Sequence, residues 1–73
     1  MESFEPKKLA LIRIWQILKD YSDYDHPLTQ EDIAVKLENE YGIVIERKAI
    51  SRNISLLKEA GVDIESRRAG SYL

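Results

Sequence analysis

Residues 28–61 read LTQEDIAVKLENEYGIVIERKAISRNISLLKEAG, and this stretch decides the fold. Thr29 stands at a helix start with Asp32 three residues on, a capping box with Asp in the place Glu usually takes. Leu28, just before the cap, is spaced to pack on Ile33 as a hydrophobic staple. Ile33, Ala34, Leu37 and Tyr41 then recur at helical spacing, which predicts a helix over about 30–41. Gly42 closes it, because glycine adopts the left-handed backbone at little cost. Ile43, Val44 and Ile45 are three consecutive β-branched residues, read as a short strand or a buried turn. A second helix follows over about 47–60, with Glu46 near its positive end and Gly61 after it. Two helices joined by a tight turn form the centre of the chain.

Upstream, Met1–Glu5 read as a loose start, and Pro6 suits the first turn of a helix. Leu11, Ile14, Trp15, Leu18 and Tyr21 form an apolar stripe, with Lys7, Lys8, Arg13 and Lys19 mainly off it. This predicts a helix over about 7–21 with Trp15 turned inward. Ser22–Pro27 is a polar loop. Downstream of Gly61 the period changes. Val62, Ile64 and Ser66 alternate with Asp63 and Glu65, Arg67-Arg68-Ala69-Gly70 make a turn, and Ser71-Tyr72-Leu73 return. The fold class is therefore mainly α with small β. It is a single three-helix winged helix-turn-helix domain over 1–73 with a C-terminal β-hairpin wing over about 62–73.

The whole chain has 73 residues, no cysteine, 11 basic and 13 acidic side chains and a formal charge of −2. One small domain of this length buries roughly 60% of its unfolded surface, which leaves a thin core and little room for a deep substrate pocket. Absence of cysteine excludes disulfides and thiolate metal sites. The net charge hides an asymmetry: residues 1–46 carry −5 and residues 47–73 carry +3. Leu9–Leu18 is interrupted by Arg13 and Gln16 and is too short to span a bilayer. With no export signal visible, a cytoplasmic location is expected.

On a helical wheel Ile50, Asn53, Ile54, Leu57 and Ala60 share one side of the 47–60 helix, with the apolar members facing the core. Lys48, Ser51, Arg52 and Ser55 fall opposite, with Arg47 and Lys58 at one edge. No carboxylate interrupts that outer side before Glu59. Arginine offers two donors to the guanine edge, and serine bonds bases or phosphates. Arg47 and Lys48, at the helix start, have phosphates within reach beside free backbone N–H groups. Thr29 and Gln30, at the start of the preceding helix, are phosphate contacts if that helix crosses a DNA backbone. Arg67 and Arg68 at the hairpin tip face an adjacent backbone or minor groove. The expected DNA-binding residues are thus Thr29, Gln30, Arg47, Lys48, Ser51, Arg52, Ser55, Arg67 and Arg68. Arg52 and Ser51 lead for base readout.

Other chemistry finds little support. His26 is the only histidine and sits in a loop between Asp25 and Pro27, where solvation explains it. Glu31 and Asp32 are adjacent, diverge on their helix and are accounted for by the helix dipole. No phosphate loop, nucleophile elbow or metal-ligand cluster is present, so neither catalysis nor a cofactor or metal is expected.

Leu28-Thr29-Gln30-Glu31-Asp32-Ile33, Arg47-Lys48-Ala49-Ile50-Ser51-Arg52-Asn53-Ile54 and Leu57-Lys58-Glu59-Ala60-Gly61-Val62-Asp63-Ile64 together resemble the N-terminal, DeoR-like DNA-binding domain of the bacterial WYL-domain transcriptional regulators. The closing Gly70-Ser71-Tyr72-Leu73 is similar to the return strand of that family's hairpin. The resemblance spans about residues 7–73, and its run R-x-x-I-x-R-x-I-x-x-L-x-x-x-G is shared in part by other winged helices. It implies a recognition helix at 47–60, sequence-specific binding of double-stranded DNA in the major groove, and regulation of transcription. It points to Arg47, Lys48, Ser51 and Arg52 as contacts. Ser51 stands where the family often has Tyr, and Asn53 where Asp is common, so base preference is left open. Larger members dimerise through a ligand-sensing WYL domain. The expectation is that this chain is a fragment of such a regulator, with homodimerisation through a C-terminal domain not in this sequence. The rival expectation is a winged-helix protein-interaction module without DNA binding, since fold does not fix function.

Overall fold

Three segments of the chain have one apolar side each, and they bury those sides against one another. The computed structural model describes residues 7–73, so the expectations for Met1–Glu5 and Pro6 lie outside the described residues. A 3₁₀ turn at Lys7–Leu9 leads into α1, Ala10–Tyr21. Helix α2 spans Gln30–Tyr41 and α3 spans Arg47–Glu59. Strands β1, Glu65–Arg67, and β2, Gly70–Tyr72, pair antiparallel with Glu65 opposite Tyr72 and Arg67 opposite Gly70. Three helices followed by a two-stranded hairpin make the winged helix layout.

The two ends of α2 follow from local chemistry. Thr29 Oγ1 accepts from the Asp32 backbone N–H at 3.0 Å, and the Asp32 carboxylate accepts from the Thr29 N–H at 3.0 Å. The reciprocal box leaves fewer unpaired donors at the helix start. Gly42 ends α2 at φ 67°, its N–H bonding to Glu38 O, and Ile43 then turns into the core. Ile43–Ile45 is an irregular connection and no strand: Ile43 is buried, Ile45 half-buried and Val44 exposed, and no partner edge lies beside them among the described residues.

The core is aliphatic: Ala10, Ile14, Ile17 and Leu18 from α1, Ile33 and Leu37 from α2, Ile43, then Ile50, Ile54 and Leu57 from α3, and Ile64 before the hairpin. Each of these exchanges solvent for close packing, worth about 1.5–3 kcal/mol for a full-sized side chain. Two expectations for α1 are corrected. Trp15 is 38% exposed and Tyr21 is 43% exposed, while Ile17 is fully buried. The buried set Ala10, Ile14, Ile17 and Leu18 centres the inner face about 120° away from Trp15 at 100° per residue. Trp15 therefore stands outside under the Lys19 ammonium, 5.5 Å from its ring, and the Tyr21 ring lies under Lys36 at 3.8 Å. Ala60 is likewise exposed, because α3 ends at Glu59 and Ala60 follows it as the cap.

The hairpin is tied to the helices by polar links. Leu28 and Ser71 exchange two backbone hydrogen bonds of 2.8 Å, which adds the residue before the α2 cap to the edge of β2. Gly70, against the Leu28 backbone, has φ 140°, and a Cβ there would lie 2.5 Å from Leu28 O. Ser22 is buried at the end of α1. Its hydroxyl donates to Leu18 O at 2.6 Å and accepts from the Leu73 N–H at 3.1 Å, which pins the return strand to α1.

Candidate nucleic-acid interface

The start of α2, one flank of α3 and the inner side of the hairpin enclose an open cleft of about 640 Å³. Thr29, Gln30 and Glu31 line it from α2. Arg47, Ser51, Ile54, Ser55 and Lys58 line it from α3, and Ser66, Arg67, Arg68, Gly70 and Ser71 from the hairpin. Four cations and one carboxylate thus share one concave surface. The flank follows from helix geometry: Arg47, Ser51, Ile54, Ser55 and Lys58 recur every three or four residues and fall on one stripe. The capped end of α2 faces the same space. Asp32 N–H and Ile33 N–H are consumed by Thr29, and the Gln30 and Glu31 N–H groups of the first turn have no intrahelical acceptor, which favours negative charge at this end.

Of the nine residues expected to meet DNA, seven line this cleft: Thr29, Gln30, Arg47, Ser51, Ser55, Arg67 and Arg68. Lys48 and Arg52 do not. Both are exposed on the ridge of α3 directly opposite its buried side, and neither makes an ion pair among the described residues. The ridge and its flank form a continuous outer surface of α3, with Ser51 and Ser55 between them.

Several of these side chains already have partners. The Gln30 amide donates to the Ser51 hydroxyl, joining α2 to α3. An Arg47 guanidinium N–H donates to the Glu31 carboxylate at 2.7 Å. With the two side chains 67% and 69% exposed, this pair adds at most about 1 kcal/mol to folding. Lys58 donates to Ser66 Oγ at 3.0 Å, and Ser66 Oγ lies 3.0 Å from Ser71 Oγ. Arg67 donates to the Tyr24 carbonyl at 2.6 Å, with its guanidinium 4.6 Å from the Tyr24 ring and 5.1 Å from the Tyr72 ring. The two rings meet edge to face at 5.7 Å.

Glu31, Lys58 and the Tyr24–Tyr72 pair are participants that composition and motif spacing did not single out. Lys58 was visible as an edge residue on the wheel. Glu31 was visible only as a dipole partner, because its link to Arg47 crosses between helices. Nothing local joins Tyr24 to Arg67, which lie 43 residues apart.

The Tyr24 carbonyl belongs to a tight turn closed by Asp23 and His26. The His26 N–H donates to Asp23 O at 3.1 Å, and the His26 ring Nδ1 lies 2.9 Å from the Asp23 carboxylate. That hydrogen bond raises the His26 pKa above 6.5 and lowers that of Asp23 below 3.8. Both side chains are exposed, so the pair is a surface turn lock.

Comparison with protein-family models, with curated protein sequences and with solved structures finds no match to this chain. Among the described residues no helix is long and apolar enough to cross a membrane.

Proposed function

We propose that this domain binds double-stranded DNA sequence-specifically, as the DNA-binding part of a bacterial transcriptional regulator. The 47–60 helix lies in the major groove and the hairpin on the adjacent backbone or minor groove. The observation that carries the reading is the cleft itself. It brings Arg47, Lys58, Arg67 and Arg68 together with the N-terminus of α2 on one side of a molecule whose net charge is negative. Lys48 and Arg52, on the ridge of α3, are then the side chains that enter deepest. The action is binding without turnover, in the cytoplasm, with affinity gained from a second copy on a neighbouring half-site held through a further C-terminal domain. The resemblance to the WYL-domain regulators supports the same assignment.

Phosphate contacts dominate such binding and make it fall steeply with salt. A fluorescence titration with random-sequence duplex at two ionic strengths tests the reading, which requires binding at low salt that weakens as salt rises. Salt-independent behaviour or no binding contradicts it. Arg52→Ala should cost roughly 1–3 kcal/mol on a duplex selected from a random library and relax its sequence preference. Equal binding by wild type and variant to that duplex removes Arg52 from base readout.

One observation favours a second reading, a protein-docking module. A smaller groove beside the α2–α3 turn is lined by Ala34, Val35, Val44 and Ile45 with Glu38 and Glu46, and shares the Glu31–Arg47 pair with the cleft at its edge, a surface in which acids outnumber the single cation. The salt titration separates the two readings.

A further inference from the structure

Four of the five charged groups lining the cleft are cations, and the fifth, Glu31, sits where a polyanion would land. An acid there opposes the task of the cleft. Folding explains its position only in part: an acid in the first turn of α2 suits the helix dipole, but the side chain is 69% exposed and the α2 start is already capped by Thr29 and Asp32. Its one partner among the described residues is Arg47, at 2.7 Å. Next to that pair the Gln30 amide holds the Ser51 hydroxyl. Two consecutive residues of α2 thus hold two residues four apart on α3.

Resting on the DNA-binding reading, we propose that Glu31 is a specificity-determining residue that suppresses binding to arbitrary sequence. A guanidinium bonded to a carboxylate brings almost no net charge to a phosphate. Arg47 therefore releases few counterions and adds little to the sequence-independent affinity. The guanidinium has five N–H donors, and the carboxylate oxygen holds one of them at the observed distance. While the pair holds, the others are biased toward one direction and are best satisfied by an acceptor in the matching place, such as a base edge. Glu31 also places a negative charge near the phosphate path, which penalises every duplex that does not compensate it. Discrimination by a built-in repulsive element is a general route to specificity.

The test compares wild type with Glu31→Gln on random-sequence duplex and on a duplex recovered by selection with wild type. Glu38→Gln serves as the charge control, since Glu38 lies on α2 outside the cleft. Thermal melts check that all three are folded. Releasing Arg47 should steepen the salt dependence on random duplex by about 0.9 in log–log slope. The affinity gain of Glu31→Gln over wild type then grows by about 3.5-fold between about 200 and about 50 mM salt. The selected duplex should gain less, so that the ratio of selected to random affinity falls. Glu38→Gln should leave slope and ratio near wild type. Equal slopes and ratios for Glu31→Gln and Glu38→Gln overturn the role of Glu31 and leave DNA binding standing. Absence of salt-dependent binding by wild type and Glu31→Gln alike overturns both.

Discussion

The helical half of the molecule and its wing are held by different forces. The helices share an aliphatic interior in which Ile14, Ile17, Leu18, Ile33, Leu37 and Ile50 are fully buried. The hairpin contributes no fully buried side chain. Both its strands are exposed or half-buried, and Ile64 just before it is the last residue in the core. Apart from Leu73, which packs half-buried against the core, what fixes the hairpin is a set of directional links: Leu28 with Ser71, Ser22 with Leu73, Lys58 with Ser66, and Arg67 between two tyrosines. The hydrophobic driving force is strong and non-directional. Hydrogen bonds and ring contacts are individually weak but set orientation. The division suits a binding surface whose scaffold must be stable and whose rim must be aimed.

Four substitutions or titrations break or sharpen this contrast. Ile14→Ala should have the largest effect, a loss of about 2–5 kcal/mol in global stability by chemical denaturation. A loss below about 1 kcal/mol would show that the helical interior is looser than its burial implies. Gly70→Ala comes next. Its Cβ would collide with the Leu28 carbonyl and its backbone would be forced to positive φ, a strain of about 1–3 kcal/mol. Hydrogen exchange should show the Leu28 and Ser71 amides losing protection while α1 and α3 keep theirs. Uniform loss across the chain would mean that the wing and the helices melt as one unit.

Tyr24→Ala should be milder, about 0.5–1 kcal/mol from the lost face of the Arg67 contact. Because it removes one of the two rings against Arg67, while the residue-24 carbonyl and Tyr72 still hold the guanidinium, the Arg67 Nε resonance should shift while the helical amides stay in place. An unchanged Arg67 signal would show that Tyr24 does not hold it.

The smallest effect is the pH response of the Asp23–His26 turn. The folded pKa of His26 is raised, so its contribution is present below the unfolded value of 6.5 and is lost as pH rises through the folded pKa. The folded pKa of Asp23 is lowered, so its contribution is present above 3.8 and is lost as pH falls through the folded pKa. The turn is therefore tightest between these limits. Ring titration by NMR should place the His26 midpoint above 6.5 and return it toward 6.5 in Asp23→Asn. Equal midpoints in the two proteins would remove the lock.

The helical half was largely legible in the sequence, and the wing's attachments were not. Thr29, Asp32 and Gly42 state the bounds of α2 within a few residues of each end, and the structure matches them at Gln30 and Tyr41. Arg47–Glu59 and the hairpin turn follow from the same local signals. In α1 the period was legible but its phase was not. Leu11, Ile12, Ile14, Trp15, Ile17 and Leu18 surround much of the helix, and contact with α2 and α3 selects which of them turn inward. At the cleft, residue types on α3 could be read from a wheel. The links that orient them join segments far apart in the chain, as Glu31 with Arg47 and Tyr24 with Arg67 do. Pairing of that kind depends on the closed tertiary structure, which local spacing does not encode.

Addition of random-sequence duplex to the isotope-labelled domain at low salt, followed by amide shift mapping, tests the central claim most directly. The account predicts shifts concentrated at Thr29–Glu31, along Arg47–Ser55 and at Ser66–Ser71, reversed by added salt. Shifts centred instead on Val35, Glu38 and Val44, or no shifts at all, would contradict it.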